Sequence, residues 1–186
     1  MFWLLLLFTL ATFPQATFAN DNEFTIQPGD ILHVSVWKED GMDREVLVLP
    51  DGTITFPLVG TIEVKNTTLA NTQNSIKEKL EPYIPDAVVT VAINSPLGHT
   101  VSILGQVKKP GTIIMSGNMS VLQALSQAEG LTPYADDDDI VIIRRTEKGK
   151  ESIEYPYDDI TKGKDLSKDI DLKPGDVIFV PTSGLF

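Results

Sequence analysis

The tripeptide Pro-Gly-Asp occurs twice in this chain, at Pro28–Asp30 and at Pro174–Asp176. Each copy feeds an alternating apolar run, Ile31 to Val34 in the first case and Val177 to Val180 in the second. Proline presets φ for a turn, glycine accepts the positive φ that follows, and an Asp side chain can bond the backbone two residues on. Such a turn launches a strand in a fixed register. Both copies therefore read as structural, and neither as a site. A chain punctuated in this way builds its core from short strands with turn chemistry between them.

The rest of the first half follows that rule and then changes period. Ile31 to Trp37 alternates, with Leu32, Val34 and Val36 on one face. Glu45 to Leu49 and Thr53 to Phe56 flank Pro50-Asp51-Gly52, which predicts a hairpin, and Thr61 to Val64 would extend it to a meander. From Thr68 the apolar residues Leu69, Ile76, Leu80 and Ile84 fall at helical spacing, with Thr67 or Thr68 as N-cap and Pro82 as the bound. Ala87 to Ile93 alternates again. Residues 24–94 thus read as a β-β-β-α-β unit.

Ser95-Pro-Leu-Gly98 is the strongest boundary signal, and a second unit follows it. Val101 to Val107 and Thr112 to Met115 flank Lys108-Lys109-Pro110-Gly111, a predicted tight hairpin turn. Ser120 with Gln123 forms a capping-box signature for a helix over 120–128, whose apolar face is Val121, Ala124, Leu125 and Ala128 and whose end is marked by Gly130. Ile140 to Arg144, Ser152 to Tyr155 and Val177 to Val180 supply further strands. The unit reads β-β-α-β-β-(helical turn)-β. The sequons at Asn66-Thr67-Thr68 and Asn118-Met119-Ser120 read as helix-entry chemistry.

Residues 1–19 stand apart. Phe2 to Leu10 is apolar and uncharged, too short for a comfortable membrane anchor, and small residues follow at Thr17 and Ala19. A signal peptide cleaved after Ala19 is the expectation. Cysteine is absent, so the chain has no disulfide, no thiol nucleophile and no site for an N-terminal lipid. A net charge of −11 without a basic stripe argues against nucleic acid.

Catalytic and metal signatures are scarce. His33 and His99 lack ligand spacing and read as ordinary strand or surface residues. Asp136 to Asp139 lacks the alternation of an EF-hand loop and reads as a solvated turn. No catalytic residue, cofactor site or metal site is assigned.

Several motifs then match a known family in its order. Gln27-Pro-Gly-Asp-Ile-Leu-His-Val-Ser-Val-Trp, Leu49-Pro-Asp-Gly-Thr-Ile-Thr-Phe-Pro-Leu-Val-Gly and Tyr83-Ile-Pro-Asp-Ala-Val-Val-Thr-Val resemble the polysaccharide biosynthesis/export domain. Val101-Ser-Ile-Leu-Gly-Gln-Val-Lys-Lys-Pro-Gly-Thr, Val121-Leu-Gln-Ala-Leu-Ser-Gln-Ala-Glu-Gly-Leu-Thr and Ile140-Val-Ile-Ile-Arg-Arg are similar to the SLBB domain, a β-grasp fold. The likeness spans residues 24–181. Trp37-Lys-Glu and Phe56-Pro-Leu resemble the short form found beside exosortase exopolysaccharide systems. The family's Ala-Gly-Gly after the second helix is Ala128-Glu129-Gly130 here.

The resemblance implies an α+β fold of two small mixed modules: an export domain over 24–94 and a β-grasp-like SLBB domain over 98–181. It implies a non-enzymatic, homo-oligomeric conduit or adaptor in the periplasm at the outer membrane. Its partners would be the polysaccharide, an inner-membrane polysaccharide co-polymerase and a separate outer-membrane β-barrel protein, since the chain reaches Phe186 soon after Pro181, without the pore-forming C-terminal helix of larger members. Lys108, Lys109, Arg144 and Arg145 are the candidate contacts with polymer or neighbouring subunit. Trp37, Phe56, Tyr83 and Tyr134 could stack on sugar rings. The rival expectation is a monomeric periplasmic carbohydrate-binding or sensing module.

Overall fold

The computed structural model describes residues 24–146 and 148–184, so the expected leader lies outside the described residues. In chain order the first half holds β1 (Ile31–Val36), β2 (Asp43–Leu47), β3 (Thr53–Phe56), β4 (Gly60–Glu63), α1 (Leu69–Leu80) and β5 (Val89–Ser95). The second holds β6 (Thr100–Gly105), β7 (Gly111–Ile114), α2 (Val121–Gln127), β8 (Val141–Thr146), β9 (Gly149–Glu154), α3 (Tyr157–Thr161), a 3-10 turn (Leu166–Lys168) and β10 (Val177–Val180). This is an α+β chain of two modules, each with its own hydrophobic cluster.

In the first module β1 lies between β2 and β5, antiparallel to both. Its alternation buries Leu32, Val34 and Val36, which meet Ile76 and Leu80 of α1 and Ile54 and Phe56 of β3. Thr68 caps α1, its hydroxyl accepting from the Asn71 amide at 3.2 Å. Four strands precede the helix, at the four segments the pattern picks out, one more than the shorthand β-β-β-α-β counts.

The predicted hairpin over 45–56 is not a ladder. β2 pairs with β1, and β3 pairs with β4 in a sheet of its own. The reason lies in the backbone after β2: Val48 exchanges both its groups with the first Pro-Gly-Asp turn, accepting from Gly29 N–H and donating to the Asp30 carbonyl, each at 2.9 Å. The chain is thereby committed to the β1 side. The Pro50 turn is closed by the Leu49 N–H to Thr53 carbonyl and the Gly52 N–H to Leu49 carbonyl bonds, both at 2.8 Å, and Asp51 there accepts from the Thr53 amide at 3.0 Å and its hydroxyl at 2.7 Å. Those bonds hold the Asp51 carboxyl below its ordinary pKa.

The second sheet has the order β7-β6-β10-β8-β9. β10 is central, parallel to β6 and antiparallel to β8. Helix α2 carries the expected capping box, with Ser120 and Gln123 bonding each other's amides. It packs Ala124 and Leu125 against Ile103, Ile142 and Ile178. The expected tight turn at Lys108–Gly111 is a wider loop, because the register pairs Ile103 with Gly111. Its amides are drawn to the end of α2 instead: Lys108 N–H donates to the Gly130 carbonyl and Lys109 N–H to the Ala128 carbonyl, both at 3.0 Å. These bonds satisfy carbonyls that a helix end leaves without partners.

Candidate functional site

The two Pro-Gly-Asp turns are built alike. In each, glycine takes a positive φ (97° at Gly29, 86° at Gly175), and the Asp side chain is buried. The Asp carboxylate does not reach two residues forward as the sequence predicts. It folds back three residues, accepting from Gln27 N–H in the first turn and Lys173 N–H in the second, both at 2.8 Å. Each buried carboxylate then needs a second partner.

The second turn finds Arg144. Its guanidinium donates from Nε to both Asp176 oxygens, at 3.0 and 3.2 Å, and from Nη2 to the Asp171 carbonyl at 2.9 Å. The bond to Asp176 raises the Arg144 pKa further, favouring a permanent charge. Its guanidinium is thus engaged within the chain. Arg145, the next residue along β8, points to the opposite face and is exposed. Lys108 is also exposed, and Lys109 lies 4.0 Å from Glu129 in a solvated pair. The structure does not bring the four cations into one cluster.

The first turn finds the junction between the modules. Asp30 accepts from the Gly98 N–H at 2.8 Å, and the His99 ring sits with Nε2 3.3 Å from the same carboxylate, without hydrogen-bond geometry. Phe24 stacks on that ring at 4.2 Å. His99, read from the sequence as an ordinary strand or surface residue, is a buried residue of the link before β6; its carbonyl is fixed by Met115 N–H at 2.7 Å. Gly98 is required sterically, since a Cβ there would lie 2.6 Å from the Pro28 carbonyl oxygen. Nothing in local periodicity links residue 30 to residues 98 and 99, so this junction escaped the sequence reading.

Of the four aromatic candidates, Phe56 is core, whereas Trp37, Tyr83 and Tyr134 are exposed. Trp37 and Val88 border a hollow of about 420 Å³ whose rim carries Glu39, Asp40 and Asp43. His33 Nε2 lies 3.4 Å from Asp43 Oδ1 at the surface. The carboxylates of Asp136, Asp137 and Asp138 come within 4.8 Å of one another in the loop before β8. Among the described residues no helix is long and apolar enough to cross a membrane.

The polysaccharide biosynthesis/export protein model matches residues 19–94, and the SLBB domain model matches residues 99–180. The order and the break between them coincide with the two hydrophobic clusters. The chain belongs to the polysaccharide export protein family. Among its relatives is the polysialic acid transport protein KpsD of Escherichia coli, 26% identical over 167 residues, which cover 89% of this chain and 29% of the relative. Another is the EPS I polysaccharide export outer membrane protein EpsA of Ralstonia solanacearum, 28% identical over 87 residues, or 46% of this chain and 23% of the relative. This export-family chain therefore spans less than a third of the length of these curated relatives.

Proposed function

We propose that the chain is a component of an exopolysaccharide or capsule export machine, working at the outer membrane from the periplasmic side. In this reading residues 1–19 are a leader that is removed. Residues 24–94 and 98–181 are the export and SLBB domains, which assemble as a homo-oligomeric conduit or adaptor. The observation that carries the reading is the tandem of two export-family modules in the family order, joined at a buried junction. The polymer would be driven from an inner-membrane co-polymerase, with a separate outer-membrane barrel completing the path. The chain itself would make or break no bond; it would contribute shape and charge along the route. Of the four candidate cations, Lys108 and Arg145, with Lys109 in its solvated pair with Glu129, are the exposed ones that would meet an anionic sugar or a neighbouring subunit.

The test is deletion of the gene in its producing strain, followed by measurement of extracellular and cell-retained polysaccharide. The export role predicts loss outside with retention or feedback arrest inside, restored by the wild-type chain. Normal extracellular polymer in the deletion strain would replace the conduit with the monomeric sugar-binding module, particularly if the purified protein bound short oligosaccharides.

A further inference from the structure

The two edges of the second sheet are guarded differently. β9, at one edge, carries Lys150, Glu151 and Glu154, charges of the kind that keep an exposed strand from pairing with another chain. β7, at the other edge, reads Gly-Thr-Ile-Ile and carries none. β5, an uncharged edge of the first module, has α1 packed close along it.

The ladder decides which groups of β7 are left over. Met115 N–H donates to the His99 carbonyl at 2.7 Å, one step beyond the pair of Thr100 with Ile114. Along an antiparallel pair, residues alternate between facing the partner strand and facing away from it. Ile113 opposite Val101 and Gly111 opposite Ile103 therefore turn their backbone groups to β6, whereas Thr112 and Ile114 turn theirs outward. β6 obeys the same phase: Ser102, opposite Thr112, donates its N–H at 3.0 Å to the Asp176 carbonyl on the far side. Among the described residues no loop or further strand bonds the backbone of Thr112 or Ile114. The edge thus presents two N–H groups and two carbonyls, repeating about every 7 Å as they do along any extended chain.

There is room beside these groups. A hollow of about 450 Å³ is bounded by Lys109, Gly111 and Ile113 and by Gln127 of α2. Gly111 keeps it open, since a Cβ there would meet nothing within 4 Å. Ile113 is half-buried against the second core, and Ile114, on the opposite face, is 46% exposed. Lys108 and Lys109 stand exposed at one end of the edge, in a chain whose net charge is −11.

We infer that β7 is the docking edge for an extended segment of a different protein, which adds one more strand to the five-stranded sheet. The surroundings set its chemistry. Every second side chain is apolar and drops into the hollow beside Ile113, and an acidic residue at one end meets Lys108 and Lys109. In strand addition of this kind backbone bonds supply affinity and alternate side chains supply specificity. An anionic sugar would be drawn to the two lysines, but it offers neither the alternation of donor and acceptor nor an apolar side chain for the hollow. The inference goes beyond the export role and does not rest on it.

The test uses the purified, isotope-labelled chain and one probe, the capped peptide Ser-Val-Ile-Val-Thr-Asp-Glu, in an NMR titration. With peptide bound, the amides of Thr112 and Ile114 should exchange at least about tenfold more slowly, while that of Ile113, already turned to β6, stays as it was. Peptides N-methylated at alternate residues separate strand addition from apolar stickiness. One set of methyls faces β7 and should abolish binding; the other set should spare it. Thr112→Pro should weaken binding by about tenfold or more with melting near wild type, because the lost N–H has no partner within the chain. Lys108→Glu/Lys109→Glu should weaken binding of this peptide but not of its counterpart ending in Ser-Ser. Unchanged exchange at Thr112 and Ile114, or equal binding by the two methylated sets, would overturn the proposal. So would protection of those amides that rises with protein concentration in the absence of peptide, which would put a second copy on the edge. Polymer export enters none of these readouts, so their failure leaves the export role standing.

Discussion

At the residue scale, burial and partner number decide what each polar group does. Tyr155 is buried in the second core and donates its hydroxyl to Asp169 at 2.9 Å. Burial first, and then the hydrogen bond to Asp169, push its pKa far above the ordinary tyrosine value. A tyrosine in an unfolded chain ionises near pH 10. Because the folded value is raised, the stabilisation is complete below about pH 10 and is lost as pH climbs beyond it. Thermal melts of wild type are expected to fall steeply with alkali. Tyr155→Phe should cost about 1 kcal/mol at neutral pH and flatten that alkaline slope; an unchanged slope would refute the assignment. Little of this was legible beforehand. Tyr155 could be placed at a strand end by pattern, but its bond to Asp169 crosses an irregular segment that no periodicity encodes. Glu129 is the converse case. It takes a positive φ of 64° where the family carries glycine, so the departure visible in sequence marks a real backbone demand.

At the element scale, the strands and helices were readable because their alternation and caps are local. Thr68 and Ser120 sit where their spacing predicts, and the element order of the second module is the one its turn residues indicate. Pairing was less readable. The Pro50 hairpin fails because Val48 is claimed by a turn far away in sequence, and the Lys108 loop opens because α2 supplies acceptors for its amides. The second Pro-Gly-Asp turn shows how one cross-element bond fixes a strand. Arg144 on β8 holds Asp176 at the head of β10, and so anchors the neighbouring strand at its start. Arg144→Ala would leave a buried carboxylate with only the Lys173 amide, a loss of about 3 kcal/mol. Amide exchange should then rise first over Val177–Val180 while the first module stays protected. Arg144→Lys is expected to recover only part of the loss, since it cannot make the forked contact.

At the scale of the whole molecule, the two modules meet through Phe24, Asp30, Gly98 and His99. This contact could not be read from local pattern, because it joins residues that are distant in sequence. Gly98→Ala would drive a Cβ into the Pro28 carbonyl. We expect it to cost about 1–3 kcal/mol and to displace NMR signals of Phe24, Asp30 and His99 while both cores keep their dispersion. Undisturbed signals at those three residues would mean that the junction is not formed in solution.

The placement of β10 has a consequence for how the chain is made. Within the second sheet the strand made last, β10, is the one in the middle, slotted between β6 and β8. The first module can close once β5 has been made, whereas the second must wait with a gap in its sheet until Val180 arrives. During that wait the flanks of the gap offer unpaired backbone and bare aliphatic side chains to any neighbour. A nascent second module that has not yet reached Val177 would thus be half finished and adhesive, and the second Pro-Gly-Asp turn with β10 is the stopper that closes it.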